Sequence, residues 1–303
     1  MPTTDKKLRV SIGVTSFNEE QNIARLLHSL LKQKLKSAVI TEILVISSGS
    51  TDGTDKIVKE LCKKNPKIRL IRQKKRIGKA SAVNLFISSA KEEILILSSA
   101  DILIPNNTVD KIISPLKEQG IGIVGSHPIP VNDPNSFFGF AAHLMWGLHH
   151  QISLKSPKMG ECIAFRKIFK QIPLTSAVDE ASIEALIRGQ GYKAFYASKA
   201  IIYNKGAENI YEFIARRRHI YAGHLETKNK YSYKVSTISV SKIFYALFKN
   251  FKLSKQYILW TPLVIILETF SRFLGILDYK FYPRKHTVWE VTPSTKKLSK
   301  TSL

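Results

Sequence analysis

Short apolar runs alternate with amphipathic stretches through the first half of the chain. Five runs read as strands: Arg9–Val14, Glu42–Ile46, Ile68–Ile71, Ile94–Leu97 and Ile121–Val124. Helical patterns lie between them at Glu20–Lys32, Asp52–Lys64, Lys79–Ser89 and Asn107–Lys117. This alternation predicts an α/β fold, a Rossmann-like, mostly parallel sheet with helices on both faces. Such sheets bind ligands beyond the carboxyl ends of their strands.

Four of those ends are polar. They read "TSFNEEQN", "SSGSTDGT", "QKKRIGKASAVN" and "SSADI". One polar turn is commonly just a helix cap, and Asn18 with Gln21 has the spacing of a capping box. Four on one sheet edge point to a site. Ser50, Thr51 and Asp52 can cap the helix that follows them, whose N–H groups then face a ligand; Asp52 reads equally as a cap or a ligand contact. Lys79, after Gly78, suits a phosphate as a point cation. Asp101 ends a central strand, where a carboxylate can offer a hard oxygen ligand to a divalent ion. "GKASA" lacks the Walker spacing and no G-x-G-x-x-G occurs, which disfavours a P-loop or dinucleotide fold.

The second half reads differently. Pro134–Leu154 carries no formal charge, and Phe137, Ala141, Leu144, Met145, Leu148 and Ile152 share one helical stripe, so an amphipathic helix packed on the domain is expected. Farther on, "QYILWTPLVIILETFSRFLGIL" has a charge-free run, Gln256–Leu267, of twelve residues. That is too short for about 30 Å of hydrocarbon. Lys249, Lys252, Lys255, Lys280, Arg284 and Lys285 flank it, which fits an interfacial or re-entrant helix on an anionic membrane. The chain is expected to divide into a domain over 1–234 and a basic helical membrane-associating region over 235–303.

Charge sharpens this reading. The 47 basic and 23 acidic residues leave a formal charge of +24. From Lys205 onward there are 18 basic and 6 acidic residues, about half the surplus. A nucleic-acid surface would interleave basic residues with exposed aromatics. Here the charge sits beside apolar C-terminal helices, so an anionic membrane surface is the expected partner and nucleic acid is not, although a basic nucleic-acid-binding protein stays as an alternative. Cys62 and Cys162 give no disulfide framework, and the opening "MPTTDKKLRVSIGV" has no long apolar core; a reducing compartment and no secretory signal are expected.

Six motifs in order resemble those of the inverting nucleotide-sugar glycosyltransferases of the GT-A fold, family 2 type, in their membrane-associated branch. They are "SFNEE" (16–20), "SSGSTDGT" (47–54), "SAD" (99–101), "GECIAFR" (160–166), "VDEASIEALIRGQGY" (178–192) and "ARRRHIYAGH" (215–224). The resemblance spans about residues 9–224. It implies transfer of a sugar from a UDP- or GDP-sugar to a lipid-linked or saccharide acceptor, at the cytoplasmic face of the membrane, as a peripheral or monotopic protein. Thr15, Phe17, Asn18, Glu19, Ser48, Asp52, Gly78, Lys79, Ser99, Ala100, Arg217 and Arg218 would hold the donor. Asp101 would hold Mg²⁺ or Mn²⁺. Asp179 or Glu180 would be the base, and the order "DE", where "ED" is commoner, leaves the choice open. Of Arg216, Arg217 and Arg218, neighbours about 100° apart on a helix, the last two are expected to face the ligand. The chain departs from the family at Ser47, Ser48 and Ser99, where acids are usual, and at His219, where Trp is common. The serines at 47, 48 and 99 keep open a glycosyltransferase-like protein without activity; a separate alternative, a sugar-nucleotide pyrophosphorylase-like nucleotidyltransferase, is disfavoured by the missing glycine-rich first loop.

Overall fold

The computed structural model describes residues 7–233, 235–282, 288–296 and 298. Arg284 and Lys285, two of the flanking basic residues, and Lys234, at the expected division of the chain, lie outside the described residues.

Seven strands form one mixed sheet in the order β3-β2-β1-β4-β6-β5-β7. They are β1 Leu8–Ser16, β2 Ala38–Ser48, β3 Ile68–Gln73, β4 Ile94–Ser99, β5 Ile121–Pro130, β6 Cys162–Arg166 and β7 Lys193–Asn204. The pairs of β1 with β2 and β4, and of β2 with β3, are parallel; β6 runs antiparallel to β4 and β5. The two-residue side-chain period divides the core between faces. Ile43 and Val45 pack on one side with Ile23, Leu26, Leu27 and Leu30 of α1 (Ile23–Leu31). Leu44 and Ile46 pack on the other with Val83, Phe86 and Ile87 of α3 (Lys79–Ser89). Gly13 of β1 lets α3 approach this closely, because a Cβ there would lie 2.4 Å from the Phe86 ring.

All five predicted strands form, each extended at one or both ends. Between them α2 spans Thr54–Lys64, and Asn107–Lys117 becomes α4 (Thr108–Ile113) followed by a 3-10 turn. Pro115 lacks the N–H that would continue α4. The edge strand β7 escaped prediction because "KAFYASKAIIYN" alternates buried with half-exposed positions and holds no long apolar run.

The remaining helices flank the carboxyl end of the sheet. They are α5 Phe137–Lys155, α6 Asp179–Gly189, α7 Ile210–Tyr231, α8 Val240–Lys249 and α9 Lys255–Phe281. The α9 helix carries the expected charge-free run, Gln256–Leu267, within a longer element. It runs unbroken for 27 residues and is long and apolar enough to cross a membrane by length and composition. Its charges do not end it because they find partners. Glu268 takes both Arg217 nitrogens at 2.6 Å and Arg272 at 2.7 Å, and Asp278 takes Arg218 at 2.5 and 2.6 Å. On the outside, Phe244, Phe248, Leu253, Leu259, Ile266 and Phe281 of the α8–α9 region are exposed.

Candidate active site

A cavity of about 590 Å³ opens beyond the carboxyl ends of β1, β2 and β4. Thr15, Phe17, Glu19, Ser48, Gly78, Lys79, Ser99, Ala100 and Asp101 line it from the sheet side. Glu161, Glu180, Arg216 and Arg217 line it as well, as do the apolar Met145, Leu148, Ile243, Leu247 and Val264 of α5, α8 and α9. Asp101 and Glu180 therefore line the same cavity.

Three expected donor residues lie outside that lining. Asn18 takes a left-handed φ of +52°, which Asn tolerates better than most residues, and does not cap α1. Its side-chain oxygen accepts from the Thr51 N–H at 2.8 Å. Asp52 spends one oxygen on the Thr54 N–H and hydroxyl (3.0 and 2.5 Å) and the other on the Glu20 N–H (3.1 Å). Both residues thus fasten the first polar turn to the second. Arg218 is turned to Asp278, while Arg216 enters the cavity in its place. The 100° step along α7 sends the third arginine to α9 instead of the ligand space. Arg217 lines the cavity, but its guanidinium is held by Glu268.

The remaining groups carry the electrostatics. Gly78 has a φ of +109°, a value glycine allows, and turns the chain so that α3 starts at Lys79. The Lys79 ammonium is 2.9 Å from buried Asp179. Glu180 has no ion pair among the described residues; burial, then the charge of Asp179, pushes its carboxyl up to about 8, against the pull of Lys79. Glu19 is pushed up to about 7 by burial and then by Asp101, with the Lys296 ammonium on it opposing. The Ser48 hydroxyl is buried at the cavity wall with no partner among the described residues.

The metal expectation can be tested against these donors. Among the described residues, no three His, Cys, Asp or Glu side chains gather into a metal cage. What the cavity offers is hard oxygen: the Asp101 carboxylate just beyond β4, and the Glu19 carboxyl, which burial and then the Asp101 charge push up. That donor set fits Mg²⁺ or Mn²⁺, which take most ligands from phosphate and water. Asp101 is the residue that would hold it.

A family model for Glycosyl transferase family 2 matches residues 11–174, more than half of the chain. The chain belongs to glycosyl transferase family 2. Among curated relatives, human dolichyl-phosphate beta-glucosyltransferase is 31% identical over 100 residues, 31% of this chain and 31% of that protein. Dolichol-phosphate mannosyltransferase of Pyrococcus furiosus is 27% identical over 119 residues, 39% of this chain and 33% of that protein. The chain thus spans about a third of the length of these relatives. Among solved structures, mannosyltransferase PcManGT from Pyrobaculum calidifontis, in complex with GDP-Man and Mn²⁺, superposes with a TM-score of 0.64 at 19% identity, covering 91% of this chain and 88% of that one. This likeness shows the GT-A fold.

Among the cavity residues that sequence reasoning missed are Lys158, Glu161, Trp289 and Lys296. Glu161 stood inside a quoted motif, "GECIAFR". Trp289 and Lys296 gave no signal, since only the folded chain brings the C-terminal segment to the site.

Proposed function

We propose that this family 2 protein transfers a sugar, with inversion, from a nucleoside-diphosphate donor to a hydroxyl of a lipid-linked or polysaccharide-precursor acceptor. The donor lies along Thr15, Phe17, Ser48, Gly78, Ser99 and Ala100. A divalent ion on Asp101 would stabilise charge on the departing diphosphate. Glu180 takes the acceptor proton as that oxygen bonds to the anomeric carbon and the carbon–phosphate-oxygen bond breaks. One observation carries the reading: Glu180 is unpaired in the cavity it shares with Asp101, whereas Asp179 is consumed by Lys79. A carboxyl pushed to about 8 is a competent base near neutrality. Asp179 then acts on Glu180 through its charge.

The apolar lining from α5, α8 and α9 and the exposed α8–α9 face support an amphiphilic acceptor and a protein lying on an anionic membrane, with the region from residue 235 as its anchor. The test is thermal shift with UDP- and GDP-sugars, with and without Mn²⁺. One nucleotide should raise the Tm further when Mn²⁺ is present. Asp101→Asn should lose that added increment and the turnover; equal shifts in both proteins would overturn the role of Asp101.

A further inference from the structure

The C-terminal segment returns to the cavity and touches both of its walls. On the α6–α7 side, the Trp289 indole N–H donates to the Ala177 carbonyl at 2.9 Å, and its ring lies 4.2 Å from that of His219. Ser294 donates to Glu212 on the same side. On the sheet side, Arg76 donates to the Trp289 carbonyl (2.6 Å), Asn22 to that of Lys296 (2.6 Å) and Arg25 to that of Leu298 (2.7 Å). Trp289, Thr292, Thr295 and Lys296 line the cavity itself.

The contact of Lys296 decides what this strap does. Its ammonium donates to the Phe17 carbonyl at 2.8 Å and pairs with Glu19. Both acceptors are oxygens just beyond the end of β1, and Phe17, Glu19, Lys296 and Asp101 all line the one cavity. We propose that Lys296 is a tethered competitor for this corner: its ammonium holds Glu19 and the Phe17 carbonyl, and must withdraw before a divalent ion and its diphosphate settle there.

Like charges at contact distance repel, so the ammonium and a divalent ion exclude each other from one small corner. Withdrawal is within the reach of such a segment. Three of its backbone carbonyls accept from side-chain donors, Thr295 and Leu298 are buried, and Glu290 and Val291 between the anchored ends are exposed, so the strap is held by individual bonds that can open at less than the cost of global unfolding. The donor half of this inference rests on the proposed activity; the ion half does not.

The experiment uses the full chain and Mn²⁺ alone, with free ion read by electron paramagnetic resonance. Lys296→Met should bind Mn²⁺ at least about fivefold tighter than wild type, because a screened like charge has gone, and Lys296→Arg should restore the weaker binding. Equal or weaker binding by Lys296→Met, absence of binding included, overturns the proposal. A second arm follows chymotryptic cleavage at Trp289. Mn²⁺ with UDP or GDP should speed it in wild type, and Lys296→Met should be cleaved fast without ligand; protection by the ligand overturns the proposal. Tighter Mn²⁺ binding by the variant, with no nucleotide affecting either protein, would leave the competitor standing and remove the nucleotide donor.

Discussion

The two walls of the cavity are held by different chemistry. On the sheet side, short polar side chains accept from backbone N–H groups within and between the first two turns: Asn18 from Thr51, Asp52 from Glu20 and Thr54, and the Thr54 hydroxyl from Glu19. On the helical side, long charged side chains clasp partners more than 50 residues away, such as Arg217 on Glu268 and Arg218 on Asp278. Short side chains lose little rotamer freedom and set a fixed backbone shape, as a rigid nucleotide moiety requires. Long ion pairs cost more ordering entropy, and they join helices that have one apolar face outside the protein. The first wall is built for shape, the second for holding an amphipathic layer to a sheet.

The largest test of this contrast sits between the walls. Glu180→Gln should lower kcat about 10³-fold, within the usual range for a lost general base, while leaving nucleotide affinity within about twofold. Steady-state kinetics beside calorimetry separates the two. An unchanged kcat would move the base elsewhere.

Glu268→Leu should act on the helical wall alone. It strands the guanidiniums of Arg217 and Arg272, which should cost about 3–5 kcal/mol in denaturant unfolding, as breaking a buried pair does. Combining it with Arg217→Met should recover part of the loss. A cost below about 1 kcal/mol would mean that α9 is held by its apolar contacts.

Asp179→Asn should produce a smaller change, in pH dependence. The wild-type kcat/KM should rise with pH through about 8, as Glu180 loses its proton. The Asp179 charge keeps that proton on, so its removal should shift the rise to lower pH. A rise at unchanged pH would show that Asp179 serves only to hold Lys79.

The same contrast explains what the sequence showed. The sheet-side wall was legible because strand and turn follow each other within a few residues: Ser48, Gly78, Ser99 and Asp101 all lie where the alternation put them. The different settings of Asp179 and Glu180 were not legible, since only the folded chain shows the Lys79 ammonium paired with one of the two adjacent carboxylates. Nor was the fate of the arginines, because no local pattern tells that Glu268 and Asp278 lie opposite them. Asn18 misled through its resemblance to a cap, and a left-handed φ is set by the turn as a whole.

The smallest expected effect concerns the outer face of the helical wall. Phe244 and Phe248 are 68% and 81% exposed on α8, a turn apart, and Lys249, Lys252 and Lys255 follow them. A soluble surface would favour polar residues at such positions, whereas an anionic bilayer would bury the rings among acyl chains and attract the lysines. Phe244→Ser with Phe248→Ser should weaken co-sedimentation with phosphatidylserine-containing vesicles severalfold, and added salt should weaken it further. Nucleotide binding should stay as in wild type, because Phe244, although it also lines the cavity, does so from α8 and neither change reaches the sheet-side residues. Full sedimentation of the double variant would shift the anchor to the exposed face of α9, where Leu259, Leu263 and Ile266 lie a turn or less apart along one side.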